Sequence, residues 1–405
     1  MRFNQLPQWL DYLEQRYLSV SGTTQEKTLQ PLHAIATHLN LYPKSTTTVI
    51  TVTGTNGKGS CVEMLMNVYH DAGYRVATYT SPHCFSFNER IRLDGMPVTN
   101  EKLCEAFEII ENTVQKKNNI LTFFEFITLA ALWIFKQANI QVMILEVGIG
   151  GRLDATNIID AHLAIIASIG LDHMALLGST RDAIATEKAG ILRQNQLAVC
   201  GDLAPPDSLL AIAKVLNVNM SLMGKDFFYD PIQLPSPILL PNNAAVAFQT
   251  ISLLQHKLPI NLDQAAQSII KTRLPGRCER YILPSGAIVI RDVAHNPSAL
   301  ALLRQELSQY HQHHTKKIIA FCSFLNDKDI IGNLAVLKDI IDEWHMGIIH
   351  EPRGATREQL ESACAVHYIT PIWHDDLKKA IVELKKRWTA NDVIVIFGSF
   401  RVVFE

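Results

Sequence analysis

A glycine-rich segment near the N-terminus has the residue types that bind phosphate. It consists of Gly54, Thr55, Asn56, Gly57, Lys58, Gly59 and Ser60, and it joins a β-branched run to a helix-period run. Glycines let backbone N–H groups converge on an anion, and a helix N-terminus adds partial positive charge. Lys58 can reach the outer phosphates of a nucleotide, and Ser60 can bind a metal ion or a phosphate oxygen. The spacing departs from G-x-x-x-x-G-K-[ST] because Gly59 separates the lysine from the serine. The flanking strand and helix favour nucleotide binding over an ordinary glycine-rich turn.

Three further polar side chains stand where other apolar runs end. They are Ser81 after residues 75–80, Glu146 within 141–147 and His173 after 162–169. Ligands bind beyond the carboxyl ends of parallel strands, so these side chains are predicted to meet at the edge that carries the phosphate loop. Hydroxyl, carboxylate and imidazole groups there suit Mg²⁺ shared with ATP phosphates. Each has a simpler alternative: Glu146 can pair with Arg152, and His173 can be a solvated loop histidine. Asp154, nearby in sequence, can likewise cap a turn. Their joint placement favours the metal site.

Short apolar runs alternate with helix-period segments in the first two thirds of the chain. The predicted strands are 47–53, 75–80, 141–147, 162–169 and 197–200, and the predicted helices include 60–72 and 124–138. Gly73 follows the first of these helices at a plausible C′ position. Strands that alternate with helices predict a mostly parallel sheet covered on both faces. Prolines between 222 and 241 predict an irregular excursion, and a helix is predicted at 243–256.

The same rhythm restarts after Leu-Pro-Gly-Arg at 274–277. The predicted strands there are 287–291, 317–322, 346–349 and 392–397, and the predicted helices are 298–310, 329–341, 357–365 and 375–389. We therefore predict an α/β protein of two domains. Residues 1–277 form a P-loop-containing, mostly parallel sheet domain, and residues 278–405 form a smaller, Rossmann-like α/β domain.

Composition excludes several classes of function. The 405 residues carry 37 Lys+Arg against 39 Asp+Glu, and this near-neutral balance argues against nucleic acid as an obligate partner. The seven cysteines show no Cys-x-x-Cys spacing, which fits reduced thiols in the cytoplasm. No secretory core opens the chain, and no apolar run approaches the roughly 20 residues needed to cross a bilayer. The His-Gln-His-His segment at 311–314 is interpreted as a solvated loop, because no cysteine or acidic ligand adjoins it.

Many short motifs, in order along nearly the whole chain, resemble those of the folylpolyglutamate synthase family. They are GTNGKGS (54–60), TSPH (80–83), FNERIR (87–92), LTFFEFITLAAL (121–132), LEVGIGGRLDATN (145–157), LDH (171–173), EKAGI (187–191), LPGR (274–277), DVAHNP (292–297), DKDI (327–330), PRGAT (352–356) and FGSF (397–400). The chain is most similar to the bacterial members that combine dihydrofolate synthase and folylpolyglutamate synthase activities. The family belongs to a superfamily of ATP-dependent amino-acid ligases.

The resemblance implies roles for individual residues. Lys58, His173 and Lys188 are implied in catalysis, with Lys188 as the family lysine that is carbamylated into a carboxylate-like metal ligand. Ser81, Glu146 and His173 are implied as Mg²⁺ ligands, with two ions expected. The phosphate loop, Asn243, Arg277, Asp292 and His295 are implied as nucleotide contacts. Phe124, Asp154, Ala155 and Thr156 are implied to face a pterin-bearing substrate under the loop 81–92. Independently, Asp292 at a strand end suits a ribose diol, whereas Lys188 alone reads as a surface lysine on a helix.

The implied reaction joins L-glutamate to dihydropteroate and to the γ-carboxylate of reduced folates, in folate biosynthesis and one-carbon metabolism. ATP activates the carboxylate as an acyl phosphate, and no covalent enzyme nucleophile is needed. The expected partners are these small molecules alone, and we expect a cytoplasmic monomer. Two alternatives remain open: a peptidoglycan-type amino-acid ligase, which shares the phosphate loop, and a non-catalytic P-loop nucleotide switch.

Overall fold

The computed structural model describes residues 2–17, 28–117, 120–311 and 316–404. It divides into two compact units. The first unit comprises Met1–Ile169 and Leu177–Thr272, and the second comprises Gly170–Leu176 and Arg273–Glu405. The histidine-rich residues 312–314 lie outside the described part of the chain.

The strands are numbered in chain order. The first unit contains β1 (Thr48–Thr53), β2 (Val76–Tyr79), β3 (Ile91–Leu93), β4 (Met96–Pro97), β5 (Val142–Glu146), β6 (Leu163–Ile166), β7 (Leu197–Cys200) and β8 (Asn219–Leu222). The second unit contains β9 (Glu279–Ile282), β10 (Ile288–Arg291), β11 (Lys317–Cys322), β12 (Glu343–Gly347), β13 (Ile372–His374) and β14 (Asp392–Phe397).

The helices are numbered in the same way. The chain up to residue 272 contains α1 (Leu6–Tyr17), α2 (Gln30–His38), α3 (Lys58–Asp71), α4 (Asn100–Lys117), α5 (Phe123–Gln137), α6 (Met174–Leu177), α7 (Arg181–Ala189), α8 (Asp207–Val215), α9 (Pro241–Leu253) and α10 (Leu262–Lys271). The remainder contains α11 (Pro297–His311), α12 (Ile330–Leu337), α13 (Arg357–Val366), α14 (Leu377–Leu384) and α15 (Phe400–Phe404). Every helix in the described ranges is too short or too polar to span a membrane.

The first unit is built on an eight-stranded sheet in the order β4-β3-β2-β5-β1-β6-β7-β8. The pairs from β2 to β8 are parallel, and all six residues of β1 are buried, as expected for a strand covered on both faces. The register sets Val52 of β1 opposite Glu146 of β5, and Tyr79 of β2 opposite Leu145. The carboxyl ends of these three strands therefore lie at one edge. The predicted fold class is confirmed, and the predicted strands of this region are present as β1, β2, β5, β6 and β7.

An antiparallel hairpin, β3–β4, extends this sheet and is absent from the sequence-based prediction. Its turn is Asp94-Gly95, whose φ angles of +50° and +77° are those of the tight turns that favour Asp-Gly. The Asp94 carboxylate accepts the N–H of Val76 at 2.8 Å and so fastens the turn to β2. The Asp-Gly pair is the signal that identifies the hairpin; the strands themselves are too short to show alternation.

The second unit is built on a six-stranded sheet in the order β13-β12-β11-β14-β10-β9, antiparallel only at β9. The sheet is buried on both faces: Val393, Val395 and Phe397 pack in one apolar cluster, and Ile394 and Ile396 in another. The strand predicted at 346–349 instead spans Glu343–Gly347. The polar side chains of Glu343 and His345 concealed its start, because they hydrogen-bond to each other at 2.7 Å.

A buried carboxylate connects the N-terminal helix to the first unit. The Glu111 side chain on α4 is 1% exposed and accepts the hydroxyls of Tyr12 at 2.7 Å and Tyr17 at 2.6 Å. The guanidinium groups of Arg2 and Arg16 lie 3.4 and 3.5 Å from it. Burial and the Glu111 hydrogen bond raise the pKa of Tyr17, so this hydroxyl stays a donor. This network holds α1 against α4.

We expect Glu111→Ala to lower the free energy of unfolding by about 3–5 kcal/mol, because it leaves buried tyrosine hydroxyls and two cations without their acceptor. Glu105→Ala, on an exposed position of the same helix, is the matched control and should change it by less than about 0.5 kcal/mol. Urea unfolding followed by circular dichroism measures both. Equal losses in the two variants would show that the network does not stabilise the fold.

Candidate active site

The phosphate loop lies between β1 and α3 and is held by the strand beside it. Gly57 precedes α3 with a left-handed φ of +84°. The N–H of Thr55 donates to the carbonyl of Ser168 at 2.8 Å, and the N–H of Asn56 donates to the Ser168 hydroxyl at 2.9 Å. Both bonds fix the loop against the segment after β6. The loop is therefore preorganised to present the N-terminus of α3 to an anion.

Two polar side chains adjoin this loop. The Lys58 ammonium lies over its own loop and donates to the Gly54 carbonyl at 2.8 Å. A Cβ on Gly57 would stand 2.5 Å from the Oδ1 of Asn243, which lies near the start of α9. The predicted nucleotide residues of the first unit are thus brought together, and Gly57 is required both by φ and by the closeness of Asn243.

Glu146 ends β5 at the same edge and is 5% exposed. Its Oε2 accepts the N–H of Ser81 at 3.1 Å, so these two predicted metal ligands are neighbours. The alternative pairing of Glu146 with Arg152 is wrong: Arg152 pairs with Glu187 at 2.8 Å. Among the described residues, no three His, Cys, Asp or Glu side chains form a metal-binding group by themselves. The hard oxygen donors of Ser81 and Glu146 fit Mg²⁺, which is bound through few protein ligands and substrate phosphates.

Phe124 and the turn after β5 form an aromatic and polar wall beside Glu146. The Phe124 ring lies 5.6 Å from the ring of Tyr79, and a Cβ on Gly148 would stand 2.9 Å from its Cζ. Asp154 is buried: its Oδ2 accepts the N–H of Gly148 at 3.0 Å, and its Oδ1 accepts the N–H of Thr156 at 2.9 Å. Burial raises the pKa of Asp154, and these hydrogen bonds oppose that rise. The alternative reading of Asp154 as a turn cap therefore describes its geometry.

Two further residues of this turn were predicted to face a substrate. Ala155 is 2% exposed and Thr156 is fully buried, with its hydroxyl donating to Asp154 at 2.6 Å. Their side chains therefore build the wall from inside, and any contact from them to a ligand is limited to backbone or to the wall's shape.

The loop 81–92 is held in one shape by a carboxylate that the sequence reading missed. Glu89 accepts the backbone N–H groups of Cys84, Phe85 and Ser86 at 2.7, 3.0 and 2.7 Å. Ser86 and Glu89 also form a capping box, and the S-x-x-E spacing is the sequence signal for it. Burial lowers the pKa of Arg90, whose Nε donates to His83 at 3.0 Å. The loop is preorganised and carries the exposed ring of Phe85.

Lys188 lies near the end of α7 and is 3% exposed. The alternative of a surface lysine is therefore wrong. Periodicity could not reveal this, because the burial of Lys188 depends on packing against residues distant in sequence. A buried ammonium is costly in its charged form, so this position favours chemistry that changes the charge.

The second unit contains His173 and the other predicted nucleotide contacts. His173 belongs to the segment Gly170–Leu176 and has a left-handed φ of +50°. Asp292 ends β10 and accepts the N–H groups of Cys278 at 2.8 Å and Ala294 at 2.7 Å. The guanidinium of Arg277 lies 5.2 Å from the ring of Phe400. These residues are fixed by their own unit.

His295 and its neighbours meet a carboxylate that was not predicted. His295 Nδ1 lies 2.7 Å from the Val293 carbonyl, and its Nε2 lies 3.5 Å from Asp172. The same carboxylate accepts from Lys328 at 2.8 Å and from Asn296 at 3.1 Å. Three motifs, LDH, DVAHNP and DKDI, therefore meet at Asp172. No single-sequence signal marks this, because the three are more than 100 and 150 residues apart.

Comparison with known proteins was made at this point. The chain matches the Mur ligase middle domain over residues 52–226 and the Mur ligase, glutamate ligase domain over residues 276–400. The dihydrofolate synthase/folylpolyglutamate synthase of Buchnera aphidicola subsp. Acyrthosiphon pisum is 37% identical, covering 98% of this chain and 96% of the relative. The chain belongs to the dihydrofolate synthase/folylpolyglutamate synthase family. The resemblance read from the motifs is confirmed, and the chain is an ATP-dependent ligase.

Solved structures of the family show what related sites bind. Escherichia coli FolC in complex with DHPP and ADP is 34% identical, with a TM-score of 0.89 over 99% of this chain and 96% of that chain. A bifunctional folylpolyglutamate synthase/dihydrofolate synthase with Mn, AMPPNP and L-glutamate bound is 35% identical, with a TM-score of 0.88 over 99% and 96%. Those proteins hold nucleotide, a divalent metal and substrates on the fold described above.

We expect Gly57→Ala to weaken ADP binding at least tenfold, because its Cβ meets Asn243 and disturbs the phosphate loop. Gly73→Ala is the matched control: its φ of +87° is equally left-handed, but nothing lies within 4 Å of the new Cβ. Both variants share the backbone cost of about 1–2 kcal/mol for a left-handed residue. Isothermal titration calorimetry with ADP measures the affinity. Unchanged binding in Gly57→Ala, or equal weakening in Gly73→Ala, would contradict the role given to Gly57.

Proposed function

We propose that this chain uses ATP to join L-glutamate to dihydropteroate and to the γ-carboxylate of reduced folates. One arrangement carries the proposal: the phosphate loop, the buried Glu146 and the ring of Phe124 surround one edge of the first unit's sheet. The names and bound molecules of the relatives support it, since they include both synthase activities, DHPP, L-glutamate and ATP analogues.

The chemistry explains why this edge needs charge neutralisation and no covalent nucleophile. A carboxylate resists amide formation because its leaving group would be oxide. Attack of the carboxylate on the γ-phosphate of ATP breaks the bond to ADP and gives an acyl phosphate. The glutamate amino group then attacks the carbonyl, loses a proton, and the intermediate collapses to amide and inorganic phosphate. Positioning and electrostatic stabilisation are the protein's contribution.

Lys58 and the N–H groups of the phosphate loop are assigned to the nucleotide phosphates, with Lys58 catalytic. Ser81, Glu146 and His173 are assigned as Mg²⁺ ligands, with His173 also catalytic. The buried carboxylate of Glu146 and its contact with Ser81 support this assignment. When bound, the ion neutralises phosphate charge and orients the transferred group. Lys58 then moves its ammonium from the Gly54 carbonyl to a phosphate oxygen.

We assign Lys188 as a carbamylated lysine that serves a second Mg²⁺ ion. Its burial supports this, because reaction of the neutral amine with CO₂ replaces an expensive buried ammonium by a carboxylate-like ligand. Its position two residues before the helix C-cap, beside the Arg152–Glu187 pair, keeps the side chain on a rigid element.

The remaining contacts are assigned by substrate. Asn243, Arg277, Asp292 and His295 are assigned to the nucleotide, with the Asp292 carboxylate on the ribose. Phe124 and residues Asp154, Ala155 and Thr156 are assigned to the pterin-bearing substrate, beneath the loop 81–92. The position of Phe124 between Tyr79 and Gly148 supports a stacking role, because an aromatic face held from behind can take a planar ring.

The proposal includes a monomeric, cytoplasmic enzyme of two domains, 1–277 and 278–405. Small-molecule substrates give no reason for a partner chain, and the seven cysteines occur as free thiols, as expected in a reducing compartment.

We expect Lys58→Ala and His173→Ala each to lower turnover by about 10²–10³-fold, the usual effect of losing one electrostatic contact in the transition state. Exposed residues of the same types supply the controls: Lys102→Ala on α4 and His38→Ala on α2 should keep full turnover. Phosphate release is followed with L-glutamate and, side by side, dihydropteroate, tetrahydrofolate and a UDP-linked muramoyl acceptor.

The acceptors separate the functions. Release with both pteroyl acceptors supports the proposal, and release with the muramoyl acceptor alone assigns the chain to peptidoglycan chemistry. ATP binding without acceptor-dependent release would indicate a nucleotide switch. Unchanged turnover in Lys58→Ala or His173→Ala, in folded protein, rejects the site assignment.

A further inference from the structure

The segment Gly170–Leu176 holds a histidine in an unfavourable backbone conformation. His173 has a φ of +50°, which costs a residue with a side chain about 1–2 kcal/mol. Two hydrogen bonds retain it: the N–H of His173 donates to the Asp172 carboxylate at 2.9 Å, and the N–H of Leu176 donates to the His173 carbonyl at 2.9 Å. Strain of this kind persists where the surrounding structure enforces it, and it concentrates at functional sites.

Asp172 supplies that enforcement, because its carboxylate is fixed from four directions. Its Oδ1 faces the Lys328 ammonium at 2.8 Å, and its Oδ2 accepts from Asn296 at 3.1 Å and lies 3.5 Å from His295. The side chains of Asp172 and Lys328 are 10% and 5% exposed. Burial opposes ionisation of Asp172, but His295 and Lys328 outweigh it and hold the pKa of this carboxyl well below its usual range.

The partners of Asp172 are themselves rigid. Asn296 Oδ1 accepts the N–H of Ala299 at 2.9 Å and so begins α11. The His295 carbonyl accepts from the amide of Asn333, a fully buried residue of α12, at 2.9 Å. Lys328 lies two residues before α12, whose first turn is capped by Asp329. The carboxylate therefore transmits the geometry of two helix starts to the backbone of the next residue, His173.

A purely structural anchor at this position has a cheaper solution. A buried ion pair contributes little net stability compared with well-packed apolar side chains of similar size. What an ion pair adds is direction, since a carboxylate with four donors can take only one orientation. We propose that Asp172 is a positioning residue that fixes the main chain of His173 so that its imidazole is held for metal binding. This proposal rests on the proposed function, in which His173 is a metal ligand.

Groups that orient a metal ligand have a known scale of effect. Replacing them weakens metal affinity or activity by about 10–100-fold while the ligand itself stays in place. We therefore expect Asp172→Asn to weaken metal binding by about that factor. The amide still matches the size of the carboxylate, but it cannot satisfy Lys328 and the N–H of His173 together.

The probe is Mn²⁺, added to the full-length enzyme saturated with AMPPNP and followed by loss of the free-ion signal in electron paramagnetic resonance. Thermal unfolding is measured in parallel. The variants are Asp172→Asn, His173→Ala and their combination. Asp327→Asn is the matched control, because Asp327 also lies 4.0 Å from Lys328 but pairs with Arg353 and does not contact His173.

We expect Asp172→Asn to weaken Mn²⁺ binding about 10–100-fold, Asp327→Asn to leave it unchanged, and the combined variant to bind no worse than His173→Ala. Additive losses in the combined variant, or a lower melting temperature with unchanged Mn²⁺ affinity, would overturn the proposal. Asp172→Glu covers the case in which Asp172→Asn fails to fold. It keeps the charge for Lys328 but displaces the acceptor of the His173 N–H, and it should also weaken Mn²⁺ binding.

The result separates this proposal from the proposed function. Wild-type Mn²⁺ affinity in His173→Ala rejects the metal-ligand assignment, and with it any role for Asp172 through His173. Loss in His173→Ala without loss in the folded Asp172 variants rejects the positioning role alone.

Discussion

The parallel register of β1 against β5 determines the first unit's site. Val52 lies opposite Glu146, so the strand that enters the phosphate loop and the strand that ends in the carboxylate finish at the same level. A slip of one residue would turn every side chain of either strand to the other face. The loop and the acidic side chain would then point to opposite sides of the sheet. Burial of both strands on both faces makes such a slip expensive, and this is how an apolar sheet interior controls polar chemistry at its edge.

Buried carboxylates give the loops around that edge their shape. Asp154 holds the turn after β5, Glu89 holds the loop 81–92, and Asp172 holds the backbone of His173. Each accepts backbone N–H groups that would otherwise be unsatisfied in an irregular segment. A carboxylate can accept several such bonds at once, so a single side chain orders a whole turn. The rigidity of these loops therefore comes from acidic side chains that bind protein, and a list of acidic residues alone would have assigned them all to ligands.

The sequence predicts the phosphate loop and the parallel strands well, because local pattern and tertiary role agree there. β-branched runs form β1, β2 and β5, and the glycines of the loop follow directly. It fails where the answer depends on residues far apart in the chain. Lys188 looks like a surface lysine and is buried, and Asp172 looks like a neighbour of His173 yet contacts two motifs from the C-terminal third. The membership of Gly170–Leu176 in the second unit has the same origin, since it is set by these long-range ion pairs.

Choice of acceptor and use of ATP depend on different parts of the first unit. The phosphate loop, Lys58 and Glu146 concern only the triphosphate and its ion, and any ligase that activates a carboxylate needs them. Selectivity for a pteroyl group requires a flat apolar surface, and the first unit supplies one at the start of α5, where Thr122 and Glu125 cap the helix and hold Phe124 against Tyr79 and Gly148. Because Gly148 directly follows the β5 strand that ends at Glu146, the stacking surface is built onto the same strand as the catalytic carboxylate. A planar substrate bound there would be aligned with the phosphate by the sheet itself.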